Sequence, residues 1–178
     1  MDAHGDALAA TAAGDTDRDF DAAFLNHYGR LARVIARVVR NRARAEELAV
    51  DVFVKWWRHP EARGDKAIGW LYRASVRVAL DELRRETRRG RFEWLLHPRR
   101  AVATPEDIRE ADDEQRRVRD VLRRLKRRDA SILLLRADDM PYGDIATTLG
   151  LNPASVGTLI SRAQSAFRNE YEGRYGKP

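Results

Sequence analysis

The segment from residue 140 to residue 171 has the most constraining pattern in the chain: a short helix, a glycine stop and a longer helix. Gly150 is expected to end the first helix, because glycine readily adopts the left-handed conformation in which many helices end. Asn152 is a good N-cap, and Pro153 suits the first position of a helix. This order predicts a helix-turn-helix, whose second helix can enter the major groove of DNA. A plain helical hairpin without a DNA-binding role has the same pattern.

The outward face of the second helix in this motif decides what it could contact. Its apolar face is expected to hold Val156, Leu159, Ile160, Ala163, Phe167 and Tyr171. Its polar face is expected to carry Thr158, Ser161, Ser165 and Arg168, with Arg162 at the edge. Hydroxyl groups can contact phosphates or base edges, and arginine can read guanine through two hydrogen bonds. These residue types suit duplex DNA, although few of them are cations.

The charge balance of the chain narrows its possible partners. Of its 178 residues, 35% are charged, and the formal net charge is +6. That excess favours a polyanion, either nucleic acid or an anionic membrane surface. A charge-rich surface without any such partner fits the same numbers. The length allows one compact domain or two small ones.

Several classes of function lack the residues that they need. There is no cysteine, and the four histidines are scattered, so we expect no disulfide, no metal site and no cofactor. No nucleophile–base set or phosphate-binding loop is recognisable, so we expect no enzymatic activity. No apolar run approaches the roughly 20 residues that span a bilayer, and the N-terminus has no signal-peptide pattern. These features predict a cytoplasmic protein without membrane insertion.

Helical periodicity divides the N-terminal half into a tail and three helices. Residues 1–18 are rich in Ala, Gly, Asp and Thr, which predicts a disordered acidic tail. The first helix is expected to start at Asp19, with an apolar residue every three or four positions. The second helix is expected over residues 45–59 and the third over residues 66–88, with Gly90 as its stop.

The chain then changes in composition, which indicates a domain boundary. Residues 93–112 hold two prolines, a basic pair and an acidic run, as is typical of a linker. Within it, Pro105 and the acidic residues after it resemble the start of a helix. Two helical domains are expected on either side, over residues 19–92 and 113–172, and residues 173–178 form a short tail. The predicted fold is all-α, with two small helical domains joined by a flexible linker and a helix-turn-helix in the C-terminal, four-helix domain.

The third helix has a basic stripe opposite its apolar face. The stripe consists of Arg73, Arg77, Arg84 and Arg88, with Trp70 at its edge. A helix with cations and an aromatic ring can follow phosphates and stack an unpaired base. Asp81 lies in the same stripe, so a solvated face with pairs of opposite charge explains the pattern equally well.

Two adjacent tryptophans in the second helix cannot both lie on one buried stripe. Trp56 and Trp57 point about 100° apart. Either one of them reaches another helix or a partner protein, or both lie in a broad core between helices. The sequence leaves both alternatives open.

Two blocks of the chain resemble extracytoplasmic-function (ECF) sigma factors of the bacterial sigma-70 family. AEELAVDVFVKWWRH, followed by GWLYRASVRVALDELRRETRR, is similar to the family's second region, where a pattern such as AEDLVQEVFLRLW precedes WLYRIARNLALDLLRR. LLLRADDMPYGDIATTLGLNPASVGTLISRA is similar to the fourth region, LLLRxxxGLSYEEIAxxLGxSxGTVKSRLxRA. The resemblance covers residues 19–92 and 113–172, and the order and spacing of the blocks match the family.

The resemblance implies a subunit that directs RNA polymerase to promoters. Such a factor binds core RNA polymerase, opens the −10 element into single strands and reads the −35 element as duplex DNA. An anti-sigma factor could hold it inactive. Carried over by position, core binding falls on Glu47, Leu48, Asp51, Phe53 and Trp57. The −10 contacts fall on Trp70, Arg73, Arg77, Arg84 and Arg88. The −35 contacts fall on Gly157, Thr158, Ser161, Arg162, Ser165 and Arg168.

Four positions depart from the family's pattern. Gly157 and Leu159 stand where the family usually has basic residues, which predicts weaker phosphate attraction and base reading at the −35 element. Arg77 replaces an asparagine that the family associates with −10 base capture. Val50 replaces a usual glutamine in the core-binding helix, so a polar contact there would become apolar.

A second class of function fits part of these observations. A helix-turn-helix transcription regulator with an N-terminal helical interaction domain would also have the C-terminal motif. Such a regulator does not need a basic helix bearing Trp70 far from its reading head. That helix therefore favours the sigma-factor interpretation.

Overall fold

The computed structural model describes the backbone of residues 3–96 and 106–177, and the side chains of residues 19–86, 88 and 113–177. Over these residues the chain is helical and has no strand, so the all-α class is confirmed. The helices are α1 (Ala3–Ala36), α2 (Arg42–Trp57), α3 (Ala67–Leu96), α4 (Glu106–Arg124), α5 (Arg127–Ala137), α6 (Tyr142–Leu149) and α7 (Val156–Tyr175). None of them, as far as they are described, is both long and apolar enough to cross a bilayer.

Helices α1, α2 and α3 form a first bundle around the apolar stripes that the sequence predicts. On α1, Leu31, Val34 and Ile35 are fully buried. The residues that face them are Leu48, Val52, Phe53 and Trp56 of α2 and Leu71, Val76 and Leu80 of α3. Each such side chain contributes roughly 1.5–3 kcal/mol when it leaves water. The turn between α1 and α2 is closed by Asn41, whose side-chain oxygen accepts a hydrogen bond from the backbone N–H of Arg44 at 3.0 Å.

Two helix boundaries in this bundle differ from the sequence expectations. Helix α1 begins at Ala3, so the backbone is helical through most of the segment expected to be a disordered tail. This stretch holds many alanines and no proline, which favours extension of the helix toward the N-terminus once the rest of α1 has formed. Helix α3 passes through Gly90 and ends at Leu96, because a single glycine weakens a helix by about 1 kcal/mol without breaking it.

Helices α4 to α7 form the second bundle. Helix α4 begins at Glu106, directly after Pro105, as the sequence predicts for a helix start. This start lies inside the segment expected to be linker, of which residues 97–105 lie outside the described residues. Helices α5 and α7 pack through Ile132, Leu135, Ile160 and Ala163, which are buried. The four helices expected in this half are therefore all present.

The helix-turn-helix has the predicted turn chemistry. Gly150 ends α6 with φ at +64°, in the left-handed region that favours glycine. The side-chain oxygen of Asn152 accepts a hydrogen bond from the backbone N–H of Ala154 at 3.0 Å. Pro153 opens a short 3₁₀ turn, Pro153–Ser155, that leads into α7. These local signals fix the turn between α6 and α7.

The two bundles also pack against each other, with α3 between them. Gly69 of α3 lies so close to α6 that a Cβ built on it would be 3.6 Å from the Cα atom of Thr148. One apolar cluster, which includes Leu31, Leu71, Leu135 and Ile145, runs through both halves. The structure therefore presents one packed arrangement of the two helical halves.

Candidate nucleic-acid interface

The α3 surface brings together the aromatic ring and two of the cations that the sequence predicts for single-stranded DNA. Trp70, Arg73 and Arg77 line a shallow groove between α3 and α2, opposite Asp51 and Lys55. Arg73 and Arg77 are exposed. Neither has an ion-pair or hydrogen-bond partner among the described side chains. Trp70 is half-buried, and its ring centroid lies 5.7 Å from that of His59. In this groove two guanidinium groups that are unpaired among the described residues lie beside a tryptophan ring that packs near His59. Such a combination can bind the phosphates and stack a base of a nucleic-acid strand.

The C-terminal part of the predicted basic stripe is partly occupied by an ion pair. A guanidinium nitrogen of Arg84 lies 4.0 Å from a carboxylate oxygen of Asp81, and Arg84 is half-buried. Asp81 also accepts a hydrogen bond from Arg127 of α5. Arg88 is exposed. The structure therefore divides the stripe: two arginines are available near Trp70, and Arg84 already shares a carboxylate.

The outward face of α7 carries the residues that the sequence predicts for duplex DNA. Thr158, Ser161, Arg162, Ser165 and Arg168 are all exposed, and Gly157 is partly exposed. The Ser161 hydroxyl donates a hydrogen bond to the Gly157 carbonyl at 3.1 Å. Because its proton is engaged in the helix, Ser161 presents mainly an acceptor to a ligand. The cations of this face are Arg162 and Arg168, so the helix remains poor in positive charge.

Two residues beside the recognition helix were missed by sequence reasoning. Tyr142 shares helical spacing with the buried residues Ile145 and Ala146, but its side chain is 49% exposed at the start of α6. The Arg136 guanidinium lies over its ring, 5.7 Å from the centroid. A Cβ on Gly157 would be 3.8 Å from the Cε2 atom of this ring. Arg136 and Tyr142 thus add a cation and a phenol at the edge of the α7 surface. Helical periodicity gives no signal for the exposure of a first-turn residue.

The α2 residues expected to bind core polymerase fall into two groups, one exposed and one buried. Glu47 and Asp51 are exposed, and Val50 and Val54, each 41% exposed, lie on the same face. Leu48 and Phe53 point the other way and are buried, at 6% and 0% exposure. The open face of α2 is therefore a short apolar strip with acidic neighbours, and Leu48 and Phe53 hold the bundle together beneath it.

The tryptophan pair is divided between core and surface. Trp56 is buried, and its indole N–H donates to the Ala62 carbonyl at 3.0 Å. Trp57 is half-buried at the rim, where its ring meets Phe20 edge-on at 5.2 Å. The Arg63 guanidinium carbon lies over the Trp57 ring, 5.1 Å from its centroid. Trp57 is therefore held by neighbours while part of it remains open to a partner.

Comparison with known proteins identifies the family. The sequence profile of Sigma-70 region 2 matches residues 23–89, and that of Sigma-70 region 4 matches residues 115–165. The ECF RNA polymerase sigma factor SigK of Mycolicibacterium vanbaalenii is 29% identical over 172 residues, which cover 92% of this chain and 85% of that protein. The chain belongs to the ECF group of the sigma-70 family.

Two further comparisons extend this result. The RNA polymerase sigma-H factor of Pseudomonas aeruginosa is 27% identical to this sigma factor over 163 residues, 84% of each chain. A solved sigma factor, RpoE from Bartonella quintana in complex with the anti-sigma factor NepR, covers 88% of the chain with a TM-score of 0.50. At 16% identity, this last likeness shows a shared fold alone. Both bundles of the sigma factor are thus matched, and its role lies in transcription initiation.

The described side chains of this sigma factor hold no group of three or more metal-binding residues. Two groups with shifted pKa values lie where the two bundles meet. Burial and the neighbouring Arg30 lower the pKa of His27, and burial raises the pKa of Tyr72. The Tyr72 hydroxyl is buried without a hydrogen-bond partner among the described residues. Both shifts arise from the packing of the two halves against each other.

Proposed function

We propose that this sigma factor initiates transcription through three separate surfaces. The open α2 face binds core RNA polymerase, the α3 groove captures a strand of the −10 element, and α7 reads the −35 element as duplex. In this assignment residues 19–92 carry the first two tasks and residues 113–172 the third. The protein acts in the cytoplasm and performs no catalysis of its own.

The observation that carries the −10 assignment is the groove with Trp70, Arg73 and Arg77. Separating DNA strands costs roughly 1.4 kcal/mol per base-pair step in lost stacking. A base stacked on an aromatic ring recovers about 1–3 kcal/mol, and free guanidinium groups bind the adjacent phosphates. Arg73 and Arg77 can do so directly, because neither must first leave a carboxylate. Arg84 and Arg88 extend the path further along α3.

The core-binding surface is proposed to consist of Glu47, Val50, Asp51 and Val54, with Trp57 at its end. Exposed apolar residues in the centre of a polar rim are what a protein interface uses. Leu48 and Phe53 act on this surface indirectly, because they fix the helix that presents it.

The −35 contact is proposed to be the weaker of the two DNA contacts. Its hydroxyls and two arginines supply few phosphate contacts, and affinity for DNA depends strongly on their number. Gly157 and Leu159 leave two of the usual cation positions empty. Arg136 and Tyr142 compensate in part, since they lie beside the start of α7.

An anti-sigma factor is proposed as a further partner. The structural relative from Bartonella quintana was solved with such a protein, NepR. Exposed apolar residues, among them Val50 and Val54, offer a surface for that contact. A partner bound there would compete with core polymerase.

The alternative, a helix-turn-helix regulator that works without polymerase, is distinguished by one experiment. The purified chain is incubated with core RNA polymerase, and start sites are mapped by in vitro transcription on a genomic library. We expect stable association with core and new start sites that depend on the chain. Stable duplex binding by the chain alone, with no association with core, would instead establish the regulator.

A further inference from the structure

A cleft between the two halves of the molecule is lined by four arginines. Arg73 and Arg77 come from α3, and Arg127 and Arg128 come from the start of α5. The cleft has a volume of about 340 Å³, at the lower end of the range for small-molecule sites. Leu149 and Leu151 form an apolar part of its wall. It is distinct from the groove beside Trp70, although Arg73 and Arg77 line both.

The charges around this cleft are not balanced. Arg127 donates to the carboxylate of Asp81, and Arg128 lies 3.6 Å from a carboxylate oxygen of Asp129. Arg73 and Arg77 have no partner of either kind among the described side chains. Four guanidinium groups against two carboxylates leave two positive charges in excess. Like charges placed together repel, so an anion that enters the cleft would relieve this repulsion.

The start of α5 adds further positive character. No side chain caps this helix, whose N-cap residue is Lys126. The backbone N–H groups of an uncapped first turn carry partial positive charge and favour phosphate. The Ser131 hydroxyl, by contrast, donates to the Arg127 carbonyl at 2.8 Å and so shapes the wall rather than donating to a ligand.

We propose that this cleft binds a chain of two or more phosphates and thereby holds the two halves of the protein together. Planar guanidinium groups bind phosphate oxygens through paired hydrogen bonds, and several phosphates can occupy several arginines at once. The source is either inorganic polyphosphate or a nucleoside polyphosphate, whose base would meet Leu149 and Leu151. Because the ligand contacts α3 and α5 together, it binds only the packed arrangement and increases its population.

This proposal has a consequence for regulation that rests on the proposed function. The −10 and −35 elements are separated by about 25 base pairs, which is roughly 85 Å at 3.4 Å per pair. A compact chain of this length has a radius of gyration of about 16 Å, so the packed arrangement cannot reach both elements. A phosphate chain in the cleft would therefore oppose simultaneous binding of both elements.

The test measures binding of tripolyphosphate to the full-length chain by titration calorimetry, with ATP, AMP and a short single-stranded oligothymidine as further ligands. We expect tripolyphosphate and ATP to bind and AMP to bind much more weakly, because it has one phosphate. Comparison of the Kd values for tripolyphosphate and ATP distinguishes the two sources. The proposed function itself predicts that oligothymidine binds through Arg73 and Arg77. If oligothymidine binds and tripolyphosphate does not, the cleft is only part of the strand-binding groove, and the proposal is overturned.

Three variants locate the site. Arg127→Ser with Arg128→Ser is expected to raise the Kd for tripolyphosphate about tenfold or more, through the loss of two paired contacts. Arg128→Ser alone keeps the bond between Arg127 and Asp81 and is expected to give a smaller rise. The control, Arg42→Ser with Arg174→Ser, removes the same charge from exposed sites outside the cleft. Equal weakening by control and cleft variants would mean unspecific attraction, and the proposal would fall.

Bridging is measured separately from binding. The chain has no cysteine, so Glu61→Cys and Lys177→Cys give two unique sites for fluorescent labels, one in each half. Tripolyphosphate is expected to narrow the distribution of energy transfer between the labels and to raise the thermal midpoint. Binding without either change would refute the bridging role. No polymerase is present, so these outcomes are independent of the test of the proposed function.

Discussion

Arg30 and Asp138 join the two halves of the molecule across 108 positions of sequence. The Arg30 Nε atom donates to a carboxylate oxygen of Asp138 at 2.7 Å, and its Nη2 atom donates to the Asp138 carbonyl at 3.1 Å. Arg37 contributes a second charge, with a guanidinium nitrogen 3.8 Å from the other carboxylate oxygen. The Asp138 side chain is only 5% exposed, so its charge depends on these two arginines.

We expect Asp138→Asn to lower the free energy of unfolding by about 1–2 kcal/mol, because a charge-assisted bond becomes a neutral one and Arg30 is partly solvated. Urea denaturation followed by circular dichroism measures the change. The control is Asp139→Asn: Asp139 is 94% exposed and has φ at +55°, a conformation that asparagine tolerates. Equal loss in both variants would show that the turn, and not the bridge, is responsible.

Replacing Arg73 and Arg77 together by alanine is expected to reduce promoter opening about tenfold or more while core binding is unchanged. The reason is the loss of both free cations beside Trp70. Permanganate reactivity of unpaired thymines reports opening, and gel filtration with core polymerase reports association. Arg42→Ser with Arg174→Ser controls for net charge. Persistence of open complexes in the groove variant would contradict the −10 assignment.

Val54→Glu is expected to weaken association with core polymerase about tenfold without changing stability, because Val54 lies on the open face of α2. Leu25→Glu, a change at another exposed apolar residue, is the matched control. Fluorescence anisotropy of labelled chain against core polymerase gives both affinities. An identical Kd for Val54→Glu and the parent chain would remove α2 from the interface.

Phe53→Ala tests the other side of the same helix. Its ring is fully buried and packs against Phe24 at 5.0 Å, so we expect a loss of about 3–5 kcal/mol in the free energy of unfolding. Any fall in the affinity of Phe53→Ala for core polymerase should then be proportional to the fraction of this variant that is folded. A stable Phe53→Ala variant that has lost core affinity would restore Phe53 as a direct contact.

Gly157→Arg is expected to strengthen binding to a −35 duplex by about three- to tenfold at low salt. The new side chain has room, since its Cβ would meet the Tyr142 ring at an ordinary 3.8 Å. An added phosphate contact should steepen the dependence of log affinity on log salt by about one. Gly157→Ala separates the gain in helix propensity from the charge. If alanine gives the same gain as arginine, α7 does not approach DNA at this position.

The stability of the packed arrangement should depend on His27. Burial and Arg30 lower the pKa of His27 below its usual value of about 6.5, so the folded protein prefers the neutral ring. The contribution of the neutral His27 ring to the free energy of unfolding is fully present above the pKa of the unfolded chain. It is lost as the pH falls through 6.5 toward the lower pKa of the folded protein. Thermal midpoints between pH 7.5 and 5.5 should therefore fall less for His27→Gln than for the parent chain. Parallel pH profiles would exclude this role.

The helix-turn-helix shows how much of the candidate site could be predicted. Gly150, Asn152 and Pro153 act within a few residues, and all three have the conformations expected of them. The residues predicted for the polar face of α7 are all exposed, because helical periodicity largely decides which side of a helix faces the core. Gly90 shows the opposite case. A local stop signal is weak, and the helix on either side of it overrides a loss of about 1 kcal/mol.

Sequence by itself determined the all-α class, the buried stripes, the turn of the recognition motif and the family, because periodicity and short-range capping are local properties. Only the tertiary structure decided that Tyr142 is exposed under Arg136 and that Trp57 remains at the rim. It also decided the bond between Arg30 and Asp138 and the meeting of Arg73 and Arg77 with α5. These features depend on which helix faces pack together, and residues far apart in sequence give no local signal of that packing.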